Sequence, residues 1–443
     1  MMRGHRAPEN PALSELELLI DDLSHDGRGV AHVDGKAWFV TGALPGERVR
    51  ARRTGKHRHY DEAETLQVLH PSPDRVTPAC AHFGVCGGCS LQHLAPAAQI
   101  AAKQRTLLAN LERIGHVSPQ RVLEPLQGTP WGYRRRGRLS AKWVEKKGRM
   151  LVGFRETNGR FVAELSRCPV LDPVIGERID ALARLIETMA ARREIPQVEF
   201  AVGDGIGALV VRHLVELDAA DRAKLVEFAQ STGLQVFLQP GGIDSVQALH
   251  PLDARLAFAL PAYGLRMEFR PLDFIQINSD INLRMIDHAL DLLAPGPEDH
   301  VLDLFCGLGN FTLPLARRAA HVTGIEGEAG LVARARENAR ANAVANVEYH
   351  AANLFEDQRD AAWARARHDL IVLDPPRAGA AEVLAYLPRK ETRRVVYVSC
   401  HPASLARDAG LLVREHRFSL AAAGVMDMFP HTAHVESIAV FER

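Results

Sequence analysis

A lone cysteine near the carboxyl terminus follows a hydrophobic run and has the placement of a nucleophile. The run Val395–Ser399 predicts a buried strand, and Cys400 comes directly after it. A second apolar run, 301–305, precedes the glycine-containing loop 306–309 upstream. In an open parallel sheet the carboxyl ends of the strands meet at one edge, where ligands bind. The thiol is therefore predicted to face a ligand-binding loop across one cleft. A buried structural thiol is the alternative for Cys400.

The glycine-containing loop has the composition of a cofactor-binding turn. Gly307 and Gly309 allow a ligand to approach the backbone, and a helix is predicted over 311–320. Asp303 precedes the loop, and Glu326 ends the next predicted strand, where a carboxylate accepts hydrogen bonds from ribose hydroxyls. The third glycine of dinucleotide-binding turns is absent, which favours an adenosine ligand without a pyrophosphate, such as S-adenosyl-L-methionine. A Rossmann-like turn without any ligand is the alternative.

Two further polar side chains follow strands of the same predicted sheet. Asn353 comes after the short run 347–350, where it is predicted to meet the adenine edge. Asp374 is followed by two prolines, which restrict the backbone and hold the carboxylate toward the ligand. Methyltransferases that act on adenine amino groups have an aromatic residue after the two prolines, whereas this chain has Arg377. Amino-group methylation is therefore disfavoured.

A thiol and a methyl donor in one cleft match the chemistry that methylates carbon 5 of uracil. This carbon becomes a nucleophile once a thiolate has added to C6, and a base must afterwards remove the C5 proton so that the thiolate can leave. Cys400 is the predicted nucleophile. Glu436 is the only carboxylate in the C-terminal run 434–440 and is the predicted base. A strand-end surface acid is the alternative for Glu436.

Four other cysteines have the spacing of metal ligands. Cys80, Cys86 and Cys89 share a glycine-containing segment, and Cys168 precedes a proline as a distant fourth thiol. Structural disulfides are rare in a cytosolic chain. Zinc and an iron–sulfur cluster both accept four thiolates, and a terminal Cys-Pro ligand favours the cluster weakly.

The elements that position these residues predict three domains. Short runs interrupted by glycine turns predict a small β-barrel over 12–70. An α+β domain is predicted over 75–262, and strand–helix alternation predicts a parallel sheet of the α/β class over 263–443. In the middle domain, strands are predicted at 137–144, 150–154, 161–165, 208–213 and 234–238, and helices at 179–189 and 220–231. A helix is also predicted over 96–115.

Local rather than overall charge indicates a nucleic-acid partner. The chain has 443 residues and a formal net charge of zero. The stretch 47–58 nevertheless holds six Arg or Lys against one Glu, and 131–149 holds eight against one, interleaved with aromatic residues. Cations bind phosphates and aromatic faces stack on unpaired bases, so RNA or single-stranded DNA is predicted, with a solvated surface as the alternative.

The chain contains no run of 18 apolar residues and does not begin with the pattern of a signal peptide. We therefore expect a cytoplasmic protein that does not bind membranes.

Together these motifs resemble the RNA uracil-C5-methyltransferase family, over nearly the whole chain. The N-terminal part, with Asp26-Gly-Arg-Gly and Leu44-Pro-Gly-Glu47, resembles a TRAM domain, an OB-like RNA-binding barrel. Having both this barrel and the four cysteines is similar to the family member that methylates uracil 1939 of 23S rRNA. The motifs that carry the resemblance are 274–278, 303–310, Glu326-Gly, Asp374-Pro-Pro-Arg377, Ser399-Cys400 and His434-x-Glu436.

The resemblance implies roles for individual residues and a substrate. Cys400 would be the nucleophile and Glu436 the proton acceptor, and the four cysteines would hold a [4Fe-4S] cluster. The substrate would be 23S rRNA and the enzyme a monomer; another 23S rRNA or tRNA uracil, or a non-catalytic iron–sulfur RNA-binding protein, are the alternatives. His401 and Ala81 depart from the family, which more often has Asn and Pro there. The residues implied to contact S-adenosyl-L-methionine are Gln276, Phe305, Asn310, Glu326, Asn353 and Asp374.

Overall fold

The computed structural model describes residues 15–157 and 159–443. The chain forms two compact units. The first comprises residues up to Gly84, 89–102 and 431–434, and the second comprises 85–88, 103–430 and 435–443. The predicted division at 12–70, 75–262 and 263–443 is not tested by these two units and stays a prediction.

The first unit contains a curled six-stranded sheet in the order β1-β5-β6-β4-β3-β2. β1 and β2 are consecutive in the chain but lie at opposite edges, and between them the Asp21 amide donates to Val30 O at 2.7 Å. The sheet therefore closes on itself as the predicted barrel. Its core is formed by alternate residues, since successive side chains of a strand point to opposite faces. The strands are β1 Glu15–Leu19, β2 Asp22–Leu23, β3 Gly29–Val33, β4 Lys36–Thr41, β5 Arg48–Lys56 and β6 Tyr60–His70.

The second unit contains a six-stranded sheet in the order β13-β12-β11-β10-β8-β9, with helices over one core. Its core unites Leu139, Phe200 and Leu209 with the apolar face of α3. A two-stranded hairpin, β14 with β15, follows it in the chain. The elements are β8 Arg136–Val144, β9 Arg149–Gly153, α2 Pro173–Gly176, α3 Ile179–Thr188, β10 Gln197–Val202, β11 Gly207–Arg212, α4 Ala219–Thr232, β12 Gln235–Gln239, β13 Gln247–His250, β14 Leu256–Leu260 and β15 Leu265–Phe269.

The second unit also contains an eight-stranded sheet in the order β18-β17-β16-β19-β20-β22-β21-β7. Strands β16 to β20 are parallel and almost wholly buried, because helices cover them. The elements are α1 Pro96–Asn110, β7 Arg121–Val122, α5 Ser279–Leu293, β16 His300–Leu304, α6 Thr312–Ala316, β17 His321–Glu326, α7 Ala329–Ala341, β18 Val347–Ala351, α8 Ala362–Arg365, β19 Leu370–Leu373, α9 Ala381–Leu384, β20 Arg394–Ser399, α10 Pro402–Arg414, β21 Ser419–Met426 and β22 Glu436–Glu442.

Three local predictions were wrong. The C-terminal sheet is mixed rather than parallel, since β22 pairs antiparallel with both β20 and β21. The helix predicted over 311–320 ends at Ala316, because the Asn346 side-chain amide donates to the carbonyls of Ala316 and Ala319. The predicted strand 161–165 is absent, because Val162 forms only an isolated bridge with Arg155 and no ladder continues from it.

The helix predicted over 96–115 is confirmed and ends in a π-helical turn, Leu111–Gly115. This turn packs on α10, where Arg414 Nη1 donates to Gly115 O at 2.8 Å. The residues of the helix up to Ala102 belong to the first unit, and those from Lys103 onward belong to the second unit. No helix within the described residues is long and apolar enough to span a membrane.

Candidate active site

The register of two antiparallel strands brings the predicted nucleophile and base together. Ser399 at the end of β20 pairs with Ser437 of β22, and the Ser437 hydroxyl donates to Ser399 O at 3.2 Å. Continuing this register by one residue places Cys400 opposite Glu436. Residues in directly opposed positions share one face of the sheet, so the thiol and the carboxylate belong to one site.

Cys400 lies at the beginning of α10. The helix starts with Pro402, and the Ser404 amide donates to His401 Nδ1 at 3.3 Å, so His401 is the N-cap. His401 therefore anchors the turn that presents the thiol. Burial raises the pKa of the Cys400 thiol to about 11, with Glu436 and Asp374 adding to the shift and Arg377 opposing it.

Glu436 is the first residue of β22 and is only 3% exposed. Burial and the neighbouring Asp374 raise its pKa well above the usual range, and Lys103 opposes this shift. An unusually basic buried carboxylate suits a group that must accept a proton near neutral pH.

Asp374 follows β19, the strand next to β20. Gln276 Nε2 donates to Asp374 Oδ2 at 3.1 Å, which joins two predicted cofactor residues that are far apart in sequence. Burial raises the pKa of Asp374 to about 7. Because Asp374 acts electrostatically on both Cys400 and Glu436, it links the cofactor residues to the reacting pair.

The loop after β16 has a left-handed backbone at three positions. Phe305, Gly307 and Gly309 have φ of 64°, 56° and 91°. A positive φ at a phenylalanine stores strain, which is most often found at functional sites. Glu326 orders the loop, since its Oε2 accepts the Gly307 amide at 3.1 Å and its Oε1 accepts the Glu328 amide at 2.9 Å.

Asp303 provides the test of whether this site fits a cofactor. It is fully buried, and Thr312 Oγ1 donates to its Oδ2 at 2.5 Å. Its Oδ1 has no hydrogen-bond partner within the described residues. Burial raises its pKa to about 7, and Asp374 and Glu326 contribute to the shift. A buried orphan oxygen among three carboxylates fits a ligand with positive charge and polar hydrogens, as S-adenosylmethionine has.

The two remaining predicted cofactor residues, Asn310 and Asn353, bond to different neighbours. The side chains of Asn310 and Asn282 exchange two hydrogen bonds, at 3.1 and 2.9 Å. Asn353 is exposed, and its side chain accepts from the Phe355 amide and donates to Glu356. Both bonds lie within the turn that contains Asn353. The ring centroid of Phe355, in the same turn, lies 6.0 Å from that of Phe305.

Sequence reasoning missed three side chains of this region, namely Thr312, Asn282 and Lys103. Thr312 bonds Asp303 from nine positions away, and Asn282 faces Asn310 from another helix. Lys103 lies on a helix whose sequence shows no sign of a partner, yet it pairs with Asp427 far along the chain. No local pattern identifies such residues, because their partners are chosen by the packing of the sheet.

None of the four predicted metal ligands forms a disulfide. Cys80 and Cys89 belong to the first unit, and Cys86 and Cys168 to the second, where both pack against one core. The Gly88 amide donates to Cys86 Sγ at 3.4 Å. Across residues 15–157 and 159–443, no group of three or more His, Cys, Asp and Glu is arranged to hold a metal ion.

Comparison with known proteins identifies relatives over almost the whole chain. Residues 258–443 match the tRNA (Uracil-5-)-methyltransferase family, and 13–66 match the TRAM domain. The 23S rRNA (uracil(1939)-C(5))-methyltransferase RlmD of Xanthomonas campestris pv. campestris (strain 8004) is 60% identical over 427 residues, 96% of each chain. The protein of the same name from Stenotrophomonas maltophilia (strain R551-3) is 59% identical over 425 residues, 95% of this chain and 96% of that protein.

A solved structure has the same fold. The tRNA (uracil-54, C5)-methyltransferase of Pyrococcus abyssi, in complex with S-adenosyl-L-homocysteine, superposes with a TM-score of 0.74. It is 23% identical, and the match covers 96% of this chain and 99% of that one. The fold and the site thus define a protein of the S-adenosylmethionine-dependent methyltransferase class with an N-terminal TRAM domain. At 60% identity over 96% of its length, the chain belongs to the RNA uracil-C5-methyltransferase family.

Proposed function

We propose that this protein transfers the methyl group of S-adenosylmethionine to C5 of uridine 1939 in 23S rRNA. The observation that carries the proposal is the register of β20 and β22, which places Cys400 opposite Glu436, with Asp374 acting electrostatically on both. The relatives of the same length that are named for this reaction support the position of the target.

The residues of the site divide the reaction between them. Cys400 reacts as a thiolate, its proton having been lost to solvent, and its Sγ forms a bond to C6 of the uracil while the C5–C6 double bond opens, which makes C5 nucleophilic. When bound, S-adenosylmethionine supplies an electrophilic methyl group to C5. Glu436 then takes the C5 proton, and the Cys400–C6 bond breaks to restore the C5–C6 double bond.

The residues proposed to bind S-adenosylmethionine position the cofactor and balance its positive charge, and they take no part in bond making or breaking. Glu326 and Asp374 act electrostatically on the buried Asp303, and this concentration of carboxylates makes a positively charged ligand favourable there. Gln276 holds Asp374, and Phe305 offers an aromatic face next to Phe355. We place Asn310 and Asn353 at the edges of the same ligand. The cytoplasmic location and the monomeric state stay predictions.

Mapping of the product tests this function. Purified protein is incubated with unmodified 23S rRNA and labelled S-adenosylmethionine, and 5-methyluridine is located by digestion and mass spectrometry. We expect one modified uridine, at position 1939, and no product with Cys400→Ala. Methylation of another 23S rRNA or tRNA uridine would show that the enzyme has a different target. Binding of RNA without methylation would favour the alternative of a non-catalytic RNA-binding protein.

We also infer that Cys80, Cys86, Cys89 and Cys168 hold a [4Fe-4S] cluster. The support is the spacing of these four cysteines, none of which forms a disulfide, since thiolates are the ligands of such clusters. No step of the reaction is assigned to the cluster.

Metal analysis tests this inference. Anaerobically purified protein is expected to contain iron and sulfide and to absorb broadly in the visible range. Cys168→Ala should lose iron, whereas Cys306→Ala, which removes a buried thiol outside the set, should keep it. Protein that contains zinc and no iron would show that the thiols form a zinc site instead.

A further inference from the structure

Lys103 is a buried cation close to the reacting residues. It lies on α1 and is only 2% exposed. Its Nζ donates to Asp427 Oδ1 at 2.7 Å and to Phe429 O at 2.9 Å. Burying an ammonium group is costly unless it is paired, and here Asp427, the Phe429 carbonyl and the charge of Glu436 together stabilise the charged form of Lys103. Burial lowers the pKa of Lys103, whereas Asp427 and Glu436 both act to raise it.

The strand pairing connects this ion pair to Glu436. Met426, the last residue of β21, is the cross-strand partner of Glu436, and Asp427 is the next residue along the chain. The Lys103–Asp427 pair therefore lies at the end of β21 that faces the proton acceptor. This end of the sheet is buried, and charges there are screened less than charges in water.

The charges around Glu436 act in opposite directions. Asp374, after β19, disfavours ionisation of Glu436, and Lys103, on α1, favours it. Cys400, after β20, is coupled to Glu436, because the carboxylate raises the pKa of the thiol. Asp427 neutralises part of the charge of Lys103. Lys103 is thus the cation that offsets the negative charge around Glu436.

We propose that Lys103 is a positioning residue for proton abstraction and that its positive charge holds Glu436 in the ionised form. Asp427, by neutralising part of that charge, limits the effect of Lys103 on Glu436. The proposal rests on the proposed function of Glu436 as the base. Lys103 itself does not contact the uracil. It acts on the second half of the reaction, in which the methylated covalent adduct loses its C5 proton.

Substitutions of the pair should move the pH profile of adduct breakdown in opposite directions. Lys103→Met removes the positive charge, so Glu436 should ionise at higher pH. Breakdown of the adduct at neutral pH should then be about tenfold slower for every pH unit by which the profile moves upward. The adduct should accumulate, and raising the pH should restore breakdown. Asp427→Asn removes the neutralising carboxylate, while the Phe429 carbonyl and Glu436 still stabilise the charged form of Lys103, so the profile should move to lower pH. Lys103→Arg keeps the charge and should keep the wild-type profile.

Single-turnover measurements between pH 6 and 9 test the proposal, with the adduct followed on denaturing gels and methylated RNA by label. Lys224→Met is the matched control, because Lys224 also pairs with an aspartate, Asp221, but lies on α4 in the other sheet's layer. Its profile should match that of the wild type. Thermal unfolding of each variant shows whether it folds.

The outcomes separate the proposal from the proposed function. Unchanged profiles for Lys103→Met and Asp427→Asn would overturn the role of Lys103, and so would equal slowing by Lys103→Met and Lys103→Arg at all pH values, which is the result of a structural defect. If Lys103→Met does not fold, the Asp427→Asn variant tests the proposal alone. A shift of its pH profile to lower pH would support the role of Lys103, and a shift to higher pH would overturn it. Absence of any adduct in the wild-type enzyme would instead overturn the covalent mechanism.

Discussion

At the scale of single residues, the site is a thiol held among carboxylates. The Cys400 thiol has a pKa of about 11 because it is half buried and faces Glu436 and Asp374. Such a thiol is mostly protonated and weakly reactive at neutral pH, which protects it when no substrate is bound. Arg377 is the nearby cation that acts in the opposite direction. Glu436, one of the two carboxylates that suppress the thiol, is also the group that the proposed proton abstraction needs.

Two substitutions separate the first and last steps. Cys400→Ala should abolish methylation and form no covalent RNA adduct, because C5 stays unreactive without addition at C6. Glu436→Gln should still attack and accept the methyl group, and then stall as a methylated adduct, because no base removes the C5 proton. Denaturing gels with labelled cofactor distinguish the two. An adduct formed by Cys400→Ala would show that another residue is the nucleophile, and normal turnover by Glu436→Gln would show that another group is the base.

At the scale of elements, the turn after β16 depends on two glycines in different ways. Both have positive φ, 56° at Gly307 and 91° at Gly309. A Cβ at Gly307 would meet nothing within 4 Å, whereas a Cβ at Gly309 would lie 2.8 Å from Tyr349 Oη. Tyr349 is buried and comes from β18, so it cannot move away without disturbing the sheet.

We therefore expect Gly309→Ala to be the more damaging substitution. Gly307→Ala should cost about 1–2 kcal/mol of stability from backbone strain alone. Gly309→Ala should lower the melting temperature further and weaken S-adenosylmethionine binding, because Tyr349 or the loop must shift. Thermal unfolding and calorimetric titration measure the two effects. Equal losses for both variants would mean that the Tyr349 contact does not restrain the loop.

At the scale of the whole molecule, the two basic stretches differ in how free their charges are. In the second stretch, Arg135, Arg138, Lys147 and Arg149 form ion pairs with acidic side chains of the protein. In the first, Arg48 and Arg50 lie exposed on β5 and have no carboxylate partner among the described residues. Free cations release more counterions from RNA than cations that already have a partner.

Arg48 and Arg50 should therefore contribute more to RNA affinity than Lys147 and Arg149, which already have a carboxylate partner. Arg48→Gln with Arg50→Gln should weaken binding and reduce the slope of log affinity against log salt by roughly 0.7–0.9 per lost phosphate contact. Lys147→Gln with Arg149→Gln, which removes the same charge next to Glu164, should change the slope less. Filter binding at several salt concentrations measures both. Equal slopes for the two variants would mean that the ion pairs open when RNA binds.

The amino-acid sequence by itself indicated which residues are proposed to carry the chemistry. The lone thiol after an apolar run, the glycine loop after Asp303 and the acid in the last strand are local signals, because each residue type has few other uses at a strand end. The strand-like and helical periods likewise predicted the barrel and the α/β class, since burial of one face follows from local spacing.

Only the tertiary structure decided how those residues meet. The antiparallel insertion of β22 next to β20 places Cys400 opposite Glu436, and the packing of α1 brings Lys103 to Asp427. Helix α6 ends early because Asn346, from a distant loop, bonds its last carbonyls. These contacts join residues far apart in the chain. Their energies come from burial and from pairing of charges across elements, and neither quantity is present in a local sequence pattern.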